Sequence, residues 1–300
     1  MSTVYFKNKR GFSPGSVIFK SVGVILLIVY TILILVPLFW ALSVSLKSLD
    51  GFVTNPLLPN EFKISNYKEA FKLLYVNVYY DNGTSDKIYM AGLFANSILY
   101  SVGSAFAYTL APCMMAYVVA KYKYRFNKVI YMLVIIKLTL PVVGSLPSEM
   151  QIARIVRTYD SMIGAWVMKF SFMSTNFLIF LSIFKNLSWG YAEAAFIDGA
   201  SHFTVYVRIM LPLIKTTFFS LMLLSFISFW NDYYTPMIYL PSMPTLSYGL
   251  YYYSHSSGQG QSTIPMQMSA CMIACIPILV LFLCMRKKLM GSLTLGGLKG

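Results

Sequence analysis

The sequence predicts an all-α, polytopic membrane protein with six transmembrane helices and both termini in the cytoplasm. Composition is the first indication, because 57% of the 300 residues are hydrophobic and only 11% are charged. A soluble domain carries roughly 25% charged residues. The other two indications are six apolar stretches of span length and the placement of lysine and arginine on one side of them. The apolar excess is too large for one buried core and fits lipid as the solvent.

Each apolar stretch is close to the roughly 20 residues that a helix needs to cross a hydrocarbon core. The predicted spans cover residues 17–46, 90–120, 128–147, 161–184, 213–234 and 264–285. The first is much longer than the roughly 7–15-residue apolar core of a cleavable signal peptide, so we interpret it as a span. Lys137 and Lys169 fall inside the third and fourth spans, where a central lysine costs roughly 2.5–3.5 kcal/mol. We expect each to face a cavity, pair with a partner subunit or snorkel to an interface.

Basic residues set the predicted orientation. The net charge of +14 would suggest nucleic acid in a soluble protein, but here the lysines and arginines flank the spans. Clusters such as 7–20, 121–128, 185–215 and 286–299 collect on one side, whereas charges nearly cancel on the other. The positive-inside rule therefore places both termini in the cytoplasm and predicts no nucleic-acid partner.

Cysteine and histidine offer little for a metal site. The four cysteines, Cys113, Cys271, Cys275 and Cys284, lie in apolar stretches without metal-ligand spacing, and the chain has only two histidines. We predict that the cysteines pack in the interior and form neither a disulfide nor a metal site.

Three segments are predicted to lie outside the cell, namely 47–91, 148–160 and 235–263. The largest, 47–91, contains an expected amphipathic helix with Ser65 as a plausible N-cap, followed by a turn at 81–84. The segment 235–263 is uncharged and rich in tyrosine, serine and glycine. No hydrophilic stretch is long enough for a separate soluble domain, so residues 1–300 are predicted to form one membrane domain.

The inside loop 186–212 is unusual for its length and pattern, which predict two short helices. Ser188 is a suitable cap for the first helix, and Gly199 lies where a helix ends on a residue with positive φ. Ser201 is a suitable cap for the second helix, and Pro212 fits the first turn of the next span. We expect Tyr191, Ala194, Ala195 and Asp198 to share one face that another protein can approach closely.

The same loop resembles the EAA signature of permease subunits in bacterial ABC importers. It reads Glu193-Ala194-Ala195, three residues, Gly199, nine residues and Ile209-x-Leu211-Pro212. The extended form Ile197-Asp198-Gly199-Ala200 is similar to the carbohydrate-uptake branch, the maltose-type permeases. Further similar motifs follow in order over about 200 residues: Asn96-Ser97, Ala116-Tyr117, Leu140-Pro141, Trp230-Asn231-Asp232-Tyr233 and the glycine-rich C-terminus. The dipeptide Trp189-Gly190 and the long stretch 75–90 depart from the family pattern.

The resemblance implies the type I permease fold of ABC importers in a bacterial cell membrane. In such importers the EAA loop couples to an ATPase subunit, a role that the resemblance assigns to Glu193, Ala194, Ala195, Asp198 and Gly199. The implied partners are a second, homologous permease forming a heterodimer, two ATPase subunits, an extracellular solute-binding protein and a sugar. The chain has no G-x-x-x-x-G-K-[ST] phosphate loop. It is therefore predicted to be a transport subunit and not an enzyme, with ATP and Mg bound by the partner ATPase and no cofactor or metal of its own.

A candidate substrate cavity lies near the end of the fifth span. Trp230, Asn231, Tyr233 and Tyr234 combine aromatic faces with polar groups, as a sugar requires, although an aromatic belt at the membrane interface is the alternative. Importers of other solutes, and an ion-coupled secondary carrier, remain alternatives for the whole chain. A carrier usually shows internal repeats and mid-membrane acids, whereas only Asp232 is an acid plausibly within a span. An intramembrane enzyme or a channel is less consistent with the EAA-like loop.

Overall fold

The computed structural model describes residues 14–58, 61–80, 83–141, 144–255 and 263–293, without the side chains of 14–17 and 285–293. These residues are mostly helical. The predicted basic cluster at 7–10 and the glycine-rich C-terminus lie outside the described residues.

Fifteen helices and two strands follow one another in the described parts of the chain. In order they are α1 (Pro14–Ser45), α2 (Leu49–Thr54), α3 (Ser65–Leu73), β1 (Tyr75–Tyr79), β2 (Ser85–Tyr89), α4 (Met90–Lys121), α5 (Asn127–Thr139), α6 (Leu146–Ile155), α7 (Met162–Lys169), α8 (Thr175–Asn186), α9 (Gly190–Ile197), α10 (His202–Val205), α11 (Leu211–Leu213), α12 (Lys215–Trp230), α13 (Tyr234–Tyr239), α14 (Leu246–His255) and α15 (Ile264–Leu293). A π-helical turn, Tyr206–Met210, joins α10 to α11.

Helix α4 is the centre of the bundle and packs against α7, α8, α12 and α14. Small residues let these neighbours approach closely, as in other membrane helix pairs. A Cβ atom added to Gly103 would lie 2.1 Å from the ring of Trp166 on α7. The Trp166 indole in turn donates a hydrogen bond to the Leu99 carbonyl at 3.1 Å. The α4–α7 contact therefore depends on glycine at 103.

Three helices of the described chain, within α1, α4 and α15, are long and apolar enough to cross a membrane, or four if one bent pair counts as a single span. The bent pair is His202–Leu213 and Lys215–Trp230, which meet at 79°. The other predicted spans correspond to shorter helices. Helix α5 ends at Thr139 after 13 residues, or about 20 Å, because Pro141 forces the preceding residue out of the helical region. The fourth predicted span is divided into α7 and α8 by a break at 170–174.

The prediction of a purely helical chain was wrong in the outer segment. Strands β1 and β2 form an antiparallel hairpin in which Tyr75 pairs with Tyr89 and Tyr79 with Ser85. The alternation of buried and exposed side chains explains β1, since Val76 and Val78 are buried on one face while Tyr79 on the other is exposed. Gly83 has φ +80 and lies in the turn that the sequence predicts; residues 81 and 82 lie outside the described residues.

Helix α3 forms where an amphipathic helix was expected, but its first residue is Ser65 and its N-cap, Ile64, makes no side-chain cap hydrogen bond. Instead, the buried Asn66 fixes the helix to the outer end of α1. Its amide donates to the Ser45 carbonyl at 2.9 Å and to the Lys47 carbonyl at 2.7 Å. The buried Lys47 ammonium donates to the Asn55 carbonyl at 2.6 Å. The outer segment is thus joined to the end of α1 by side-chain hydrogen bonds to backbone carbonyl groups.

Replacing Asn66 with alanine should destabilise this outer segment. The Lys47 carbonyl would lose its amide donor, and an unsatisfied buried group costs roughly 1–3 kcal/mol. We expect a lower midpoint for thermal aggregation of the purified protein. Asn77→Ala is the control, because Asn77 is only partly buried on the hairpin. An equal midpoint for the two variants would contradict the anchoring role.

Candidate functional site

The loop between α8 and α12 has the two-helix geometry that its sequence predicts. Gly199 has φ +82, and its N–H donates to the Phe196 carbonyl at 3.0 Å, closing α9. The Ser201 hydroxyl caps α10 by accepting a hydrogen bond from the Thr204 N–H at 3.3 Å. Ser188 is not the cap of α9, which is Trp189, although the Ser188 hydroxyl accepts from the Gly190 N–H at 3.2 Å. The turn therefore requires a left-handed residue, which only glycine adopts readily.

The inner face of α9 and α10 packs on the bundle. Ala192 is fully buried and Ala195 is 8% exposed, in a cluster with Val205, Tyr206 and phenylalanines of α8. The expectation that Ala195 shares an open face with Tyr191, Ala194 and Asp198 was therefore wrong. Positions 192 and 195 are three apart, so they form the inward stripe of the helix, and their small size brings α9 close to the bundle.

The face of the loop that points away from the bundle is exposed to solvent. Glu193, Ala194 and Asp198 are all exposed. Ile197 and Phe203 are also exposed, by 87% and 69%, and were not singled out from the sequence. Two large apolar side chains that the bundle leaves uncovered, beside acidic and small residues, are typical of a surface that contacts another protein. The loop sequence alone did not mark them, because the inward face of α9 is set by its packing on the phenylalanines of α8.

An aromatic cluster joins the loop to the inner end of α4. The Tyr122 hydroxyl lies 2.8 Å from Nδ1 of His202, and its ring meets that of Trp189 edge-on at 5.7 Å. The Lys121 ammonium donates a hydrogen bond to the Leu187 carbonyl. These contacts join the loop to α4, the central helix.

A cavity of about 320 Å³ lies between α4, α7 and α12. Its walls are Tyr108, Lys169, Leu224, Ser225, Ser228 and Phe229. Phe229 is held by edge-on contacts with Tyr108 at 5.6 Å and Tyr100 at 6.2 Å. The lining combines an aromatic ring, hydroxyl groups and one ammonium group, a set suited to a hydroxylated solute.

The four predicted cavity residues lie beside this cavity and not in its wall. Trp230 is 2% exposed, and its indole donates to the Ala274 carbonyl at 3.0 Å, so it packs α12 against α15. Asn231 is exposed and donates to the Ile227 carbonyl at 2.9 Å. Tyr233 stacks on Tyr251 at 4.4 Å, and Tyr234 is 51% exposed. The neighbouring residues Lys169 and Phe229 line the cavity instead.

Comparison with known proteins shows the family of this chain. Residues 109–289, which contain the loop and every residue of the cavity wall except Tyr108, match the family described as "Binding-protein-dependent transport system inner membrane component". The chain belongs to this family. It is therefore an inner-membrane component of a binding-protein-dependent transport system, a permease subunit with no catalytic activity of its own.

Relatives of the inner-membrane component support carbohydrate transport. The chain is 25% identical to the diacetylchitobiose uptake system permease protein NgcG of Streptomyces coelicolor, over 93% of this chain and 88% of NgcG. It is 26% identical to the arabinooligosaccharides transport system permease protein AraQ of Bacillus subtilis, over 96% and 99%. Both relatives are covered almost end to end, including the loop and the cavity.

The fold of the inner-membrane component has a counterpart among solved structures. The structure of a bacterial ABC transporter involved in the import of the acidic polysaccharide alginate superposes with a TM-score of 0.73. The match covers 92% of this chain and 98% of the other, at 22% sequence identity. At that identity the similarity establishes the permease fold alone.

Proposed function

We propose that this chain is the permease subunit of an ATP-driven importer for a sugar or oligosaccharide, coupled to ATP hydrolysis through the loop 186–212. The observation that carries the proposal is the exposed face of α9 and α10, held at a fixed angle by Gly199 and joined by aromatic contacts to α4. Glu193, Ala194, Asp198 and Gly199 form the docking face for the ATPase in this account. Ala195 supports that face from beneath.

The proposed topology has six crossings with both termini in the cytoplasm. Three crossings are α1, α4 and α15, and α12 is a fourth. The remaining two are α5 and the interrupted pair α7 and α8, whose ends are completed by neighbouring segments. Interrupted backbone at membrane depth is tolerated where it is buried in protein or lines a cavity. The basic inner loops support this orientation.

The proposed complex contains this chain, a second homologous permease and two ATPase subunits that bind ATP and Mg²⁺. A solute-binding protein delivers the sugar at the outer face, where Asn231, Tyr233 and Tyr234 lie at the mouth of the cavity, with Trp230 supporting them. The names of NgcG and AraQ refer to diacetylchitobiose uptake and to arabinooligosaccharide transport, which favours a sugar over other solutes.

Reconstitution tests the proposed function directly. The complex in proteoliposomes should take up radiolabelled oligosaccharide only with both ATP inside and the binding protein outside. An ion gradient should not replace ATP. Uptake by the purified chain alone, or uptake driven by a proton or sodium gradient, would instead indicate a secondary carrier.

The hairpin is the proposed contact for the binding protein. Tyr79 is 78% exposed near its tip, so Tyr79→Ala should lower binding-protein-stimulated ATP hydrolysis several-fold without changing basal hydrolysis. Tyrosine supplies much contact area at low entropy cost, which is why its loss is expected to matter. Tyr30→Ala within α1, away from both the hairpin and the loop, is the control, because Tyr30 is 63% exposed. Equal stimulation in the Tyr79 variant would remove the hairpin from the docking surface.

A further inference from the structure

Lys169 is a charged group in the wall of the membrane cavity without a paired carboxylate. Its ammonium donates to the Thr235 hydroxyl at 3.3 Å and lies 5.2 Å from the centre of the Phe229 ring. In the part of the chain that the structure describes, no carboxylate oxygen comes within 4.0 Å of this ammonium. A charge held away from water is costly unless an opposite charge is close by.

Asp232 is one of two acids that attract Lys169 from beyond contact distance. Both of its oxygens are already engaged. One accepts from the Tyr100 hydroxyl at 2.8 Å, and the other accepts from the Thr235 N–H at 3.0 Å. Asp232 is thus held at the start of α13 by these two hydrogen bonds, and it is absent from the cavity wall.

Glu149 is the second acid that attracts Lys169, and it is held in the same way. One oxygen accepts from the Ser145 hydroxyl at 2.6 Å, and the other accepts from the Tyr239 hydroxyl at 3.2 Å. It too is absent from the cavity wall. The lining of the cavity therefore carries a single charge, which is positive.

The rest of the lining matches a sugar ring. Phe229 offers an aromatic surface for the apolar C–H face, and Tyr108, Ser225 and Ser228 offer hydroxyl groups for its edges. A neutral sugar would satisfy the hydroxyl groups and the aromatic ring but would form no ion pair with Lys169, whose two attracting acids, Asp232 and Glu149, lie beyond contact distance. A sugar with an anionic group would supply that charge through short, charge-assisted hydrogen bonds.

We infer that the imported sugar carries an anionic group, a carboxylate or a sulfate, that binds the Lys169 ammonium inside the cavity. This inference rests on the proposed function and names its substrate class. In the low dielectric of the bundle, the attraction between the two charges is stronger than in water, so Lys169 selects anionic over neutral sugars of the same size. Lys169 is a specificity-determining residue in this account.

The test is import from a mixture by the complete complex in proteoliposomes with ATP and the binding protein. The mixture contains neutral oligosaccharides from arabinan, starch and chitin, and anionic ones from pectate, alginate and a sulfated galactan. Imported species are identified by mass spectrometry. We expect anionic oligosaccharides inside, with import lowered at least tenfold by Lys169→Gln and largely retained by Lys169→Arg. Lys137→Gln, an exposed lysine of α5 outside the cavity, should leave import unchanged.

Two results would overturn the inference while leaving the proposed function intact. One is ATP-dependent import of neutral oligosaccharides in preference to anionic ones. The other is an equal loss of neutral and anionic import in the Lys169→Gln variant, which would make the lysine a structural residue. If nothing is imported despite ATP hydrolysis, the proposed function fails, and this inference fails with it. Should Lys169→Gln prevent assembly, the selectivity of the unmodified complex decides the matter.

Discussion

Replacing Gly199 with valine should abolish most ATP-driven uptake while the protein still inserts and assembles. The φ of +82 at Gly199 is a conformation that costs an ordinary residue roughly 1–2 kcal/mol and a β-branched residue more. Nothing lies within 4 Å of an added Cβ, so the effect would come from the backbone and not from a steric clash. The angle between α9 and α10 would change, and with it the position of the docking face. We expect uptake to fall at least tenfold.

The choice of substitutions separates backbone conformation from side-chain size at Gly199. Asparagine tolerates left-handed backbone, so Gly199→Asn should retain far more uptake than Gly199→Val. Gly190, at the start of α9, has ordinary helical backbone. A Cβ atom added there would lie 3.5 Å from the Ser188 hydroxyl oxygen, an ordinary van der Waals contact, so Gly190→Ala should be nearly neutral. Uptake and stimulated ATP hydrolysis are the measurements, with membrane insertion as the check. Equal uptake in Gly199→Val and Gly199→Asn would contradict the account.

Replacing Ala194 with phenylalanine should release the ATPase subunits from the complex. Ala194 is exposed between Glu193 and the large apolar side chain of Ile197, in the centre of the docking face. A small residue there allows close approach, and a ring would hold the two proteins apart. Because the position is not buried, the permease itself should fold normally. We expect ATPase co-purification to fall below a tenth of the unmodified level.

The matched control for the docking face is Ala91→Phe. Ala91 is also an exposed helical alanine, but it lies at the other end of α4, on the proposed outer side. This variant should retain the ATPase. Loss of the ATPase in both variants would indicate a general defect of assembly and would count against a docking role for α9.

The turn at Gly199 in the loop 186–212 could be predicted because neighbouring residues determine it. A glycine at a helix end and a serine before the next helix specify backbone conformation within a few residues. The buried side of α9 depended on tertiary packing. Ala192 and Ala195 face inward because the phenylalanines of α8 offer an apolar surface there, a partner that the loop sequence does not reveal. Spacing alone therefore placed Ala195 on the wrong face.

The hairpin and the interrupted spans were missed for related reasons. The strand β1 is only five residues long, and the alternation of Val76 and Val78 is short enough to pass unnoticed in a segment predicted to be loop. In the membrane part, composition predicts that a stretch is apolar but not that its helix is continuous. Pro141 marked the end of α5, whereas no proline or glycine lies in the break at 170–174.

The cavity wall contains Phe229, the residue directly before the group chosen from the sequence. The aromatic and polar run 230–234 has the right residue types, but Trp230 faces α15 and the preceding residue, Phe229, faces the cavity. A shift of one position along a helix rotates a side chain by about 100°, so residue type without a known inner face is not enough. Lys169, the lysine in the fourth predicted span, lies in the cavity wall, and an intramembrane charge is by default a hypothesis for a functional site.

The most direct test of the coupling claim is site-specific crosslinking from the loop in the assembled complex. The four native cysteines are replaced, and a single cysteine is introduced at Ile197 on the docking face or at Tyr79 on the hairpin. The account predicts that Ile197→Cys crosslinks to the ATPase subunit and that Tyr79→Cys reacts only with a reagent added outside the cell. A crosslink from Tyr79→Cys to the ATPase, or labelling of Ile197→Cys from outside, would contradict both the proposed topology and the coupling role of the loop.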